Sequence, residues 1–178
     1  MLKNLLMYRL VLFNALSFYG LFVAYQMGWL HKIVEADASG IVYAISALFV
    51  VVLLSTFRQG WKVSKYINQI KATHWIDDGF AKRIAGQKRL HKLTHIDRAA
   101  GWMTTLGLIG TVVGFILAFM GINMDLVGSA SGVQQIATQL VTGMGTALVT
   151  TLVGACAGLW TEVNYKMIVT PARVILED

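Results

Sequence analysis

Four stretches of the chain carry no charged side chain, and each is long enough to cross a lipid bilayer. Asp, Glu, Lys and Arg do not occur in residues 10–31, 38–57, 99–124 or 126–161. A spanning helix needs about 20 mostly apolar residues, and a helix satisfies its backbone hydrogen bonds internally, as lipid requires. The pattern predicts an all-α integral membrane protein with four spans, near 10–30, 40–57, 100–121 and 135–160.

The segment between the second and third spans has a different pattern. Apolar residues recur at helical spacing through 58–98, and the sequence "IDDG" at 76–79 is a turn signal. This predicts a cytoplasmic helical hairpin that extends spans two and three beyond the bilayer. The expected organisation is two peripheral, lipid-facing spans in 1–57, the hairpin in 58–98, two further spans in 99–165 and a cytoplasmic tail in 166–178.

Composition and charge agree with a membrane protein and set its orientation. The chain is 56% hydrophobic and 13% charged, against about 25% charged in a typical soluble domain. Ten of its fifteen Lys and Arg residues lie in 58–98. Loops rich in Lys and Arg stay in the cytoplasm, so both termini and this segment are expected inside. The net charge of +6 therefore reflects the orientation of the chain in the membrane, and no nucleic-acid partner is expected.

The N-terminal apolar run is read as a span. Lys3 and Arg9 precede it, as basic residues precede the apolar region of a signal peptide. The run to Leu30 is longer than such a region, and no compact small-residue cleavage site closes it.

The third span carries small residues on one side. At 100° per residue, its small residues fall within one narrow arc, which contains Gly107, Gly110, Thr111, Gly114, Ala118 and Gly121. Gly107, Gly110 and Gly114 are expected to pack closely. A strip without side chains lets another helix approach closely. Ordinary helix dimerisation would explain the glycines equally well.

The fourth span has two faces. One is a second small strip that contains Gly154 and Gly158. The other is polar and covers about 120° of arc, with Gln135, Thr138, Gln139, Thr142, Thr146 and Thr150. Threonine hydroxyls in membrane helices often bond back to their own helix. The polar face therefore either bonds a neighbouring helix or lines a hydrated path.

The sequence offers no catalytic constellation, so an enzyme is not expected. The pair His91 and His95 lies in a basic segment without the carboxylate or cysteine partners of a metal site. The single Cys156 has no partner in the chain and is read as a packing residue. No cofactor or resident metal is expected. Spans three and four also lack ionisable side chains, although ion pathways usually contain them, so a titratable group would have to come from another polypeptide.

Two motifs resemble the MotA/TolQ/ExbB ion-channel family. "LGLIGTVVGF" at 106–115 is similar to that family's third-span signature, and "GTALVTTLVG" at 145–154 is similar to its final span. The resemblance covers about 99–165, which would then be the pore helices.

The resemblance implies a homopentamer in the bacterial inner membrane, around a MotB-, TolR- or ExbD-like dimer with one intramembrane aspartate per chain. Ion flow past that aspartate would drive mechanical work. Thr111 and Thr151 would be the pore threonines that face the aspartate, with Thr146 and Thr150 as further polar lining. The glycine strips would let the pentamer close around the partner, so bulky residues at Gly110 or Gly114 should block assembly.

The chain also departs from the family pattern. TolQ and ExbB have a glutamate where this chain has Thr146, and their Ala-Ile-Pro-Ala ending does not occur here. Four spans match MotA, but the 58–98 hairpin is shorter than the rotor-engaging loop of flagellar stators. The adjacent hydroxyls of Thr150 and Thr151 resemble those of sodium-driven stators, which slightly favours transient Na⁺ over H⁺ as the transported ion. A helix-packing role for Thr150 would explain its hydroxyl equally well, so both ions stay open.

Two other classes of function remain open from the sequence. The chain would serve as a structural tetraspan scaffold if its threonines only bonded neighbouring helices. It would be a small channel or transporter if it conducted a solute without a partner.

Overall fold

The computed structural model describes residues 5–72, 91–120, 122 and 129–177, and every regular element within them is a helix. In chain order these are α1 (Leu5–Gln26), α2 (Trp29–Ala36), α3 (Ile41–Ala72), α4 (Thr94–Met120) and α5 (Ala130–Glu177). Four of them contain segments long and apolar enough to cross a bilayer: Leu5–Gln26, Ile41–Tyr66, Thr94–Met120 and Ala130–Pro171. The predictions of an all-α chain and of four spans are confirmed for these residues.

The connection between the first two spans differs from the prediction. The sequence places the end of span one at Leu30 and a loop at 31–39, whereas α1 ends at Gln26 and α2 follows as a separate short helix. Gly28 lies between them with φ 72°, a left-handed conformation that ends helices and that glycine adopts without a Cβ clash. Its amide donates to the Tyr25 carbonyl at 2.9 Å, which closes the last turn of α1.

Asp37 begins α3. One carboxylate oxygen accepts from the Ser39 amide at 3.1 Å and from the Ser39 hydroxyl at 2.6 Å, and the other accepts from the Val42 amide at 2.9 Å. An acidic side chain at this position satisfies amides that have no partner within the helix, and it complements the positive end of the helix dipole. Asp37 is buried, so this cap also anchors the connector between α2 and α3.

Three helices run past the predicted limits of their spans. α3 extends to Ala72 and α4 begins at Thr94, while the turn expected at 76–79 lies outside the described residues. α5 passes through Pro171 and ends at Glu177, so the segment taken as a tail is helical in its described part.

The helices pack around the pair formed by α4 and α5, which share the most extensive interface of the fold. α3 packs against both of them, and α1 reaches α5. All four long helices contribute to one buried cluster, with Leu10 from α1, Ile45 from α3, Met103 from α4 and Ile168 from α5 each fully buried. The cluster holds α1 and α3 against the outside of the α4–α5 pair.

Candidate functional site

The small strips of α4 and α5 face each other within one chain. A Cβ added at Gly114 would lie 2.6 Å from the Ala147 nitrogen, and one added at Gly154 would lie 2.7 Å from the Met103 carbonyl oxygen. Real Cβ atoms do not approach other atoms so closely. The two backbones are therefore in direct contact, and only glycine fits at these positions.

The other predicted packing glycines lie along the same contact. A Cβ at Gly107 would lie 2.9 Å from the Thr150 carbonyl oxygen, and one at Gly110 would lie 2.5 Å from the Thr150 side chain. One at Gly158 would lie 2.5 Å from the Thr104 hydroxyl. These glycines therefore pack closely between α4 and α5 of one subunit, and their expected role in closing a pentamer around a partner stays a prediction.

Gly143 belongs to this contact, although the sequence reasoning did not include it. A Cβ there would lie 2.7 Å from both the Ala118 Cα and the Gly114 carbonyl oxygen. Its position one helical turn before Ala147 was the available signal.

The threonines of the two motifs meet at the edge of this contact. The hydroxyl oxygens of Thr111 and Thr151 are in short contact with each other. The Thr111 hydroxyl lies 3.2 Å from the Gly107 carbonyl oxygen and 3.4 Å from that of Ala147. The Thr151 hydroxyl lies 3.3 Å and 3.1 Å from the same two carbonyls. Four oxygens, two from each helix, thus form one compact cluster.

The cluster contains more acceptors than protons. Each threonine hydroxyl has one hydrogen to donate and two lone pairs that accept, and the Gly107 and Ala147 carbonyls only accept. When one threonine donates to the other, the second hydroxyl donates to one carbonyl, and the remaining carbonyl receives no hydrogen from the pair. Rotation of either threonine hydroxyl would therefore direct its hydrogen toward an anion, or its lone pairs toward a cation.

The cluster lies beside the uncovered surface of the helix pair. Thr111 and Thr151 are half-buried. Leu148 and Leu152, which lie about 60° and 100° from Thr151 in the same direction around the helix, are 68% and 55% exposed. Val112 beside Thr111 is 59% exposed. Another helix that covered these apolar side chains would reach the threonine pair.

Thr146 and Thr150 are turned away from this surface. Both are fully buried, and they lie about 140° and 100° around α5 from Thr151. The Thr150 hydroxyl donates within α5, at 3.0 Å from the Thr146 carbonyl oxygen and 3.1 Å from that of Ala147. Their predicted role in an ion path stays a prediction, and this arrangement favours the alternative in which the polar face bonds neighbouring backbone.

Thr146 joins α5 to the connector between α2 and α3. Its hydroxyl donates to the Ala36 carbonyl at 2.7 Å and lies 3.3 Å from the Ala38 amide, from which it accepts. A polar side chain of α5 thus bonds one backbone group at the end of α2 and one in the connector that follows it. Sequence alone could not show this pairing, because the two partners are more than 100 residues apart.

Side-chain carboxylates lie at the opposite end of the α4–α5 pair. Asp97 and Glu162 line a groove of about 370 Å³ there, together with Thr104 and Gly158. Glu162 pairs with Lys166 at 2.6 Å, and both side chains are exposed to solvent. Within the described residues, no three His, Cys, Asp or Glu side chains cluster as metal ligands would.

A buried amide pair, which the sequence reasoning missed, holds α1 to α5. The Asn14 amide nitrogen donates to the Asn164 side-chain oxygen at 2.7 Å and lies 2.8 Å from the Leu10 carbonyl oxygen. The Asn14 side-chain oxygen accepts from Trp160 Nε1 at 2.9 Å and from the Asn164 amide at 3.2 Å. Polar residues of this kind join helices in membranes, so two asparagines beside apolar spans were the available signal.

Trp160 makes its contacts within the protein. Its ring lies edge-on between Phe18 and Phe49, with centroid distances of 5.2 Å and 5.0 Å. Its indole N–H is bonded to Asn14. The tryptophan therefore connects α1, α3 and α5.

The MotA/TolQ/ExbB proton channel family matches residues 55–178, a range that includes most of α3 and all of α4 and α5. Comparison with curated proteins and with solved structures gives no match.

Proposed function

This chain belongs to the MotA/TolQ/ExbB proton channel family, and we propose that it is the pentameric subunit of an ion-driven motor in a bacterial inner membrane. Five copies would surround a dimer of single-span partner chains, each with one intramembrane aspartate. The ion path would run between α4 and α5 of the ring and that aspartate. Both termini and the basic 58–98 segment would lie in the cytoplasm, in keeping with the distribution of Lys and Arg.

The meeting of Thr111 with Thr151 is the observation that carries this proposal. Each lies in one of the two motifs, 40 residues apart in the chain, and the fold brings their hydroxyls into contact. The pair lies next to uncovered apolar side chains of α4 and α5, where a partner helix would pack. A carboxylate on that helix would meet hydroxyl and carbonyl oxygens rather than lipid.

The threonine pair would serve both protonation states of such a carboxylate. An ionised aspartate needs donors, which a hydroxyl supplies when its hydrogen rotates away from a backbone carbonyl. A protonated aspartate donates to a hydroxyl oxygen instead. Because only hydroxyl hydrogens move, the close contact between the helices is unchanged while the charge is neutralised and restored.

The transported ion would be H⁺ or Na⁺. A proton needs only the partner's carboxylate, whereas Na⁺ needs several oxygen ligands, as hard cations do. The hydroxyls of Thr111 and Thr151 and the two nearby carbonyls would supply such ligands. Thr150, which favoured sodium in the sequence, donates its hydroxyl within α5, so the proposed path depends on Thr111 and Thr151 alone.

The test is to replace the Thr151 hydroxyl without changing the shape of the side chain. We expect Thr151→Val to leave a 5:2 complex with the partner intact by native mass spectrometry, but to abolish ion uptake into proteoliposomes. Thr151→Ser should restore uptake. The matched control is Thr105→Val on α4, where an exposed hydroxyl bonds only its own helix, at 2.9 Å from the Gly101 carbonyl oxygen.

Full uptake by Thr151→Val, in H⁺ and in Na⁺ gradients alike, would overturn the assignment of the threonine pair. A complex that contains no single-span partner would overturn the motor proposal itself.

One observation favours the scaffold alternative. Five threonine hydroxyls of α5, at positions 138, 142, 146, 150 and 151, each lie within bonding distance of a backbone carbonyl of this chain. A purely structural protein would need no more than this. Such a scaffold would adopt the same subunit fold, and neither the native chain nor Thr151→Val would take up ions.

A further inference from the structure

The short helix α2 separates polar from apolar side chains around its axis. At 100° per residue, Trp29, Leu30, Ile33, Val34 and Ala36 cover one side of the helix, and the other side carries His31, Lys32 and Glu35. His31 and Glu35 form an ion pair at 3.0 Å, with both side chains largely exposed. A helix of this pattern is suited to a boundary between water and an apolar phase.

Its place in the fold puts α2 at such a boundary. α1 has 22 residues and is therefore about 33 Å long, close to the ~30 Å thickness of the hydrocarbon core. α2 begins three residues after α1 ends, and α3 begins at Ile41 and returns across the bilayer. Gly28 and Gly40, both left-handed, directly precede α2 and α3.

The protein covers only part of the apolar side of α2. Leu30, Ile33 and Ala36 are half-buried where α2 contacts α1 and α5. Trp29 remains 60% exposed and Val34 39% exposed. The exposed apolar surface continues onto the end of α1, where Phe22, Tyr25 and Met27 are 56%, 68% and 62% exposed. This surface is continuous with the lipid-facing side of a membrane span.

We propose that α2 lies in the membrane interface, with Trp29 and Val34 inserted at the boundary between headgroups and acyl chains. Lys32 and the His31–Glu35 pair would face the headgroups and water. A phospholipid surface fits better than a second protein, because a protein interface that covered Trp29 and Val34 would have to displace lipid from the end of α1 as well.

Thr146 joins the end of α2 to α5 by hydrogen bonds. α2 ends at Ala36, whose carbonyl accepts from Thr146, and the same hydroxyl accepts from the Ala38 amide. A helix held at a fixed depth in the interface would therefore hold α5 at a fixed height through the connector. The inference needs only that α1 and α3 cross the bilayer, and it is independent of the proposed ion path.

The experiment is a depth scan by spin labelling in phosphatidylethanolamine–phosphatidylglycerol vesicles. Single cysteines at positions 29, 32, 34 and 35 carry nitroxides, in a Cys156→Ser background because Cys156 is exposed. Labels at 29 and 34 should collide more with oxygen than with a nickel chelate, at a depth of about 5–10 Å. Labels at 32 and 35 should prefer the chelate. Phe22→Cys provides the reference for a lipid-facing position.

Two outcomes would overturn the inference. Preference for the chelate at all four positions would place α2 in water, and shielding from both agents at 29 and 34 would place protein over it. Quenching of tryptophan fluorescence by brominated lipid checks the unlabelled chain. Brominated lipid should quench the native protein more than Trp29→Phe, and equal quenching would also contradict the proposal.

Discussion

Alanine at Gly114 should separate α4 from α5, and this tests whether the small strips are used within the subunit. The added Cβ would lie 2.6 Å from the Ala147 nitrogen, 2.8 Å from the Gly143 carbonyl oxygen and 2.9 Å from the Ala147 Cα. All three are backbone atoms, so a change of side-chain rotamer cannot relieve the clash. The helices must move apart.

The magnitude follows from the distances. Non-bonded carbon atoms attract best at about 3.5–4.0 Å, so the helices must separate locally by about 1 Å, and a gap of that size forfeits a quarter to a half of the attraction between facing atoms. Inserting a methyl group into a well-packed core costs about 1–3 kcal/mol. We expect Gly114→Ala to lower the free energy of unfolding by about 2 kcal/mol, which is a change of roughly 30-fold in the folded-to-unfolded ratio.

The assay is reversible unfolding of the purified subunit in mixed micelles of dodecyl maltoside and SDS, followed by tryptophan fluorescence. Gly101→Ala and Gly145→Ala are matched controls, because a Cβ at either position meets nothing within 4 Å. They should be neutral or slightly stabilising, since alanine favours helix more than glycine does. Gly110→Ala should cost at least as much as Gly114→Ala, because the nearest atoms there include the Thr150 Cβ at 2.5 Å, which rotation of that side chain does not move.

Equal stability of Gly114→Ala and Gly145→Ala would refute the reasoning. It would mean that α4 and α5 are not in backbone contact inside the subunit, and that the glycines serve another interface. If Gly114→Ala lost partner binding while its free energy of unfolding stayed unchanged, the result would support the expectation from the sequence, in which the glycine strips close the ring around a partner.

Three further contacts that hold the spans together are tested by substitution. Asn14→Leu should lower the free energy of unfolding by about 1–3 kcal/mol, because it leaves buried polar groups without partners, and adding Asn164→Leu should cost less than the sum of the two single changes. Asp37→Ala should cost about 1 kcal/mol through loss of the cap on the Val42 amide, whereas Asp37→Asn should cost less; both are measured in the same unfolding assay. Thr146→Val should speed hydrogen exchange of the connector amides, and Thr146→Ser should leave it unchanged. Exchange that is equally slow in Thr146→Val would show that this hydroxyl does not hold the connector.

The four spans were predictable because lipid imposes a simple rule on the sequence. A charge is costly at membrane depth, so uncharged stretches mark the helices whatever packs beside them. α2 was not predictable in this way, because Trp29 and Leu30 extend the apolar run of the first span without a break. Helix α1 is ended by the left-handed backbone at Gly28, and an isolated glycine in a sequence does not show that it takes this conformation.

The small strips and the threonines show a second limit of sequence reasoning. Helical periodicity identifies which residues share a face, but it does not identify what covers that face. Periodicity correctly placed Gly114 on a strip of small residues, but it could not show that α5 of the same chain covers this strip. Periodicity also placed Thr146 on the polar face of α5. It could not show that the Thr146 hydroxyl bonds backbone groups more than 100 residues away in the chain.

The faces of α5 show how the subunit is organised for contact with other chains. If Leu148 is set at 0°, the positions that contact α4, from Gly143 to Gly158, centre near 250°, and Thr146 and Thr150 centre near 180°. Both of these faces are covered within the subunit. The sector around 0°, with Leu148 and Leu152, is left exposed, and Thr151 lies at its border near 300°. A helix from another chain that packs on this sector would therefore contact the Thr111–Thr151 pair, and it would do so without disturbing the glycine contact that positions the two hydroxyls.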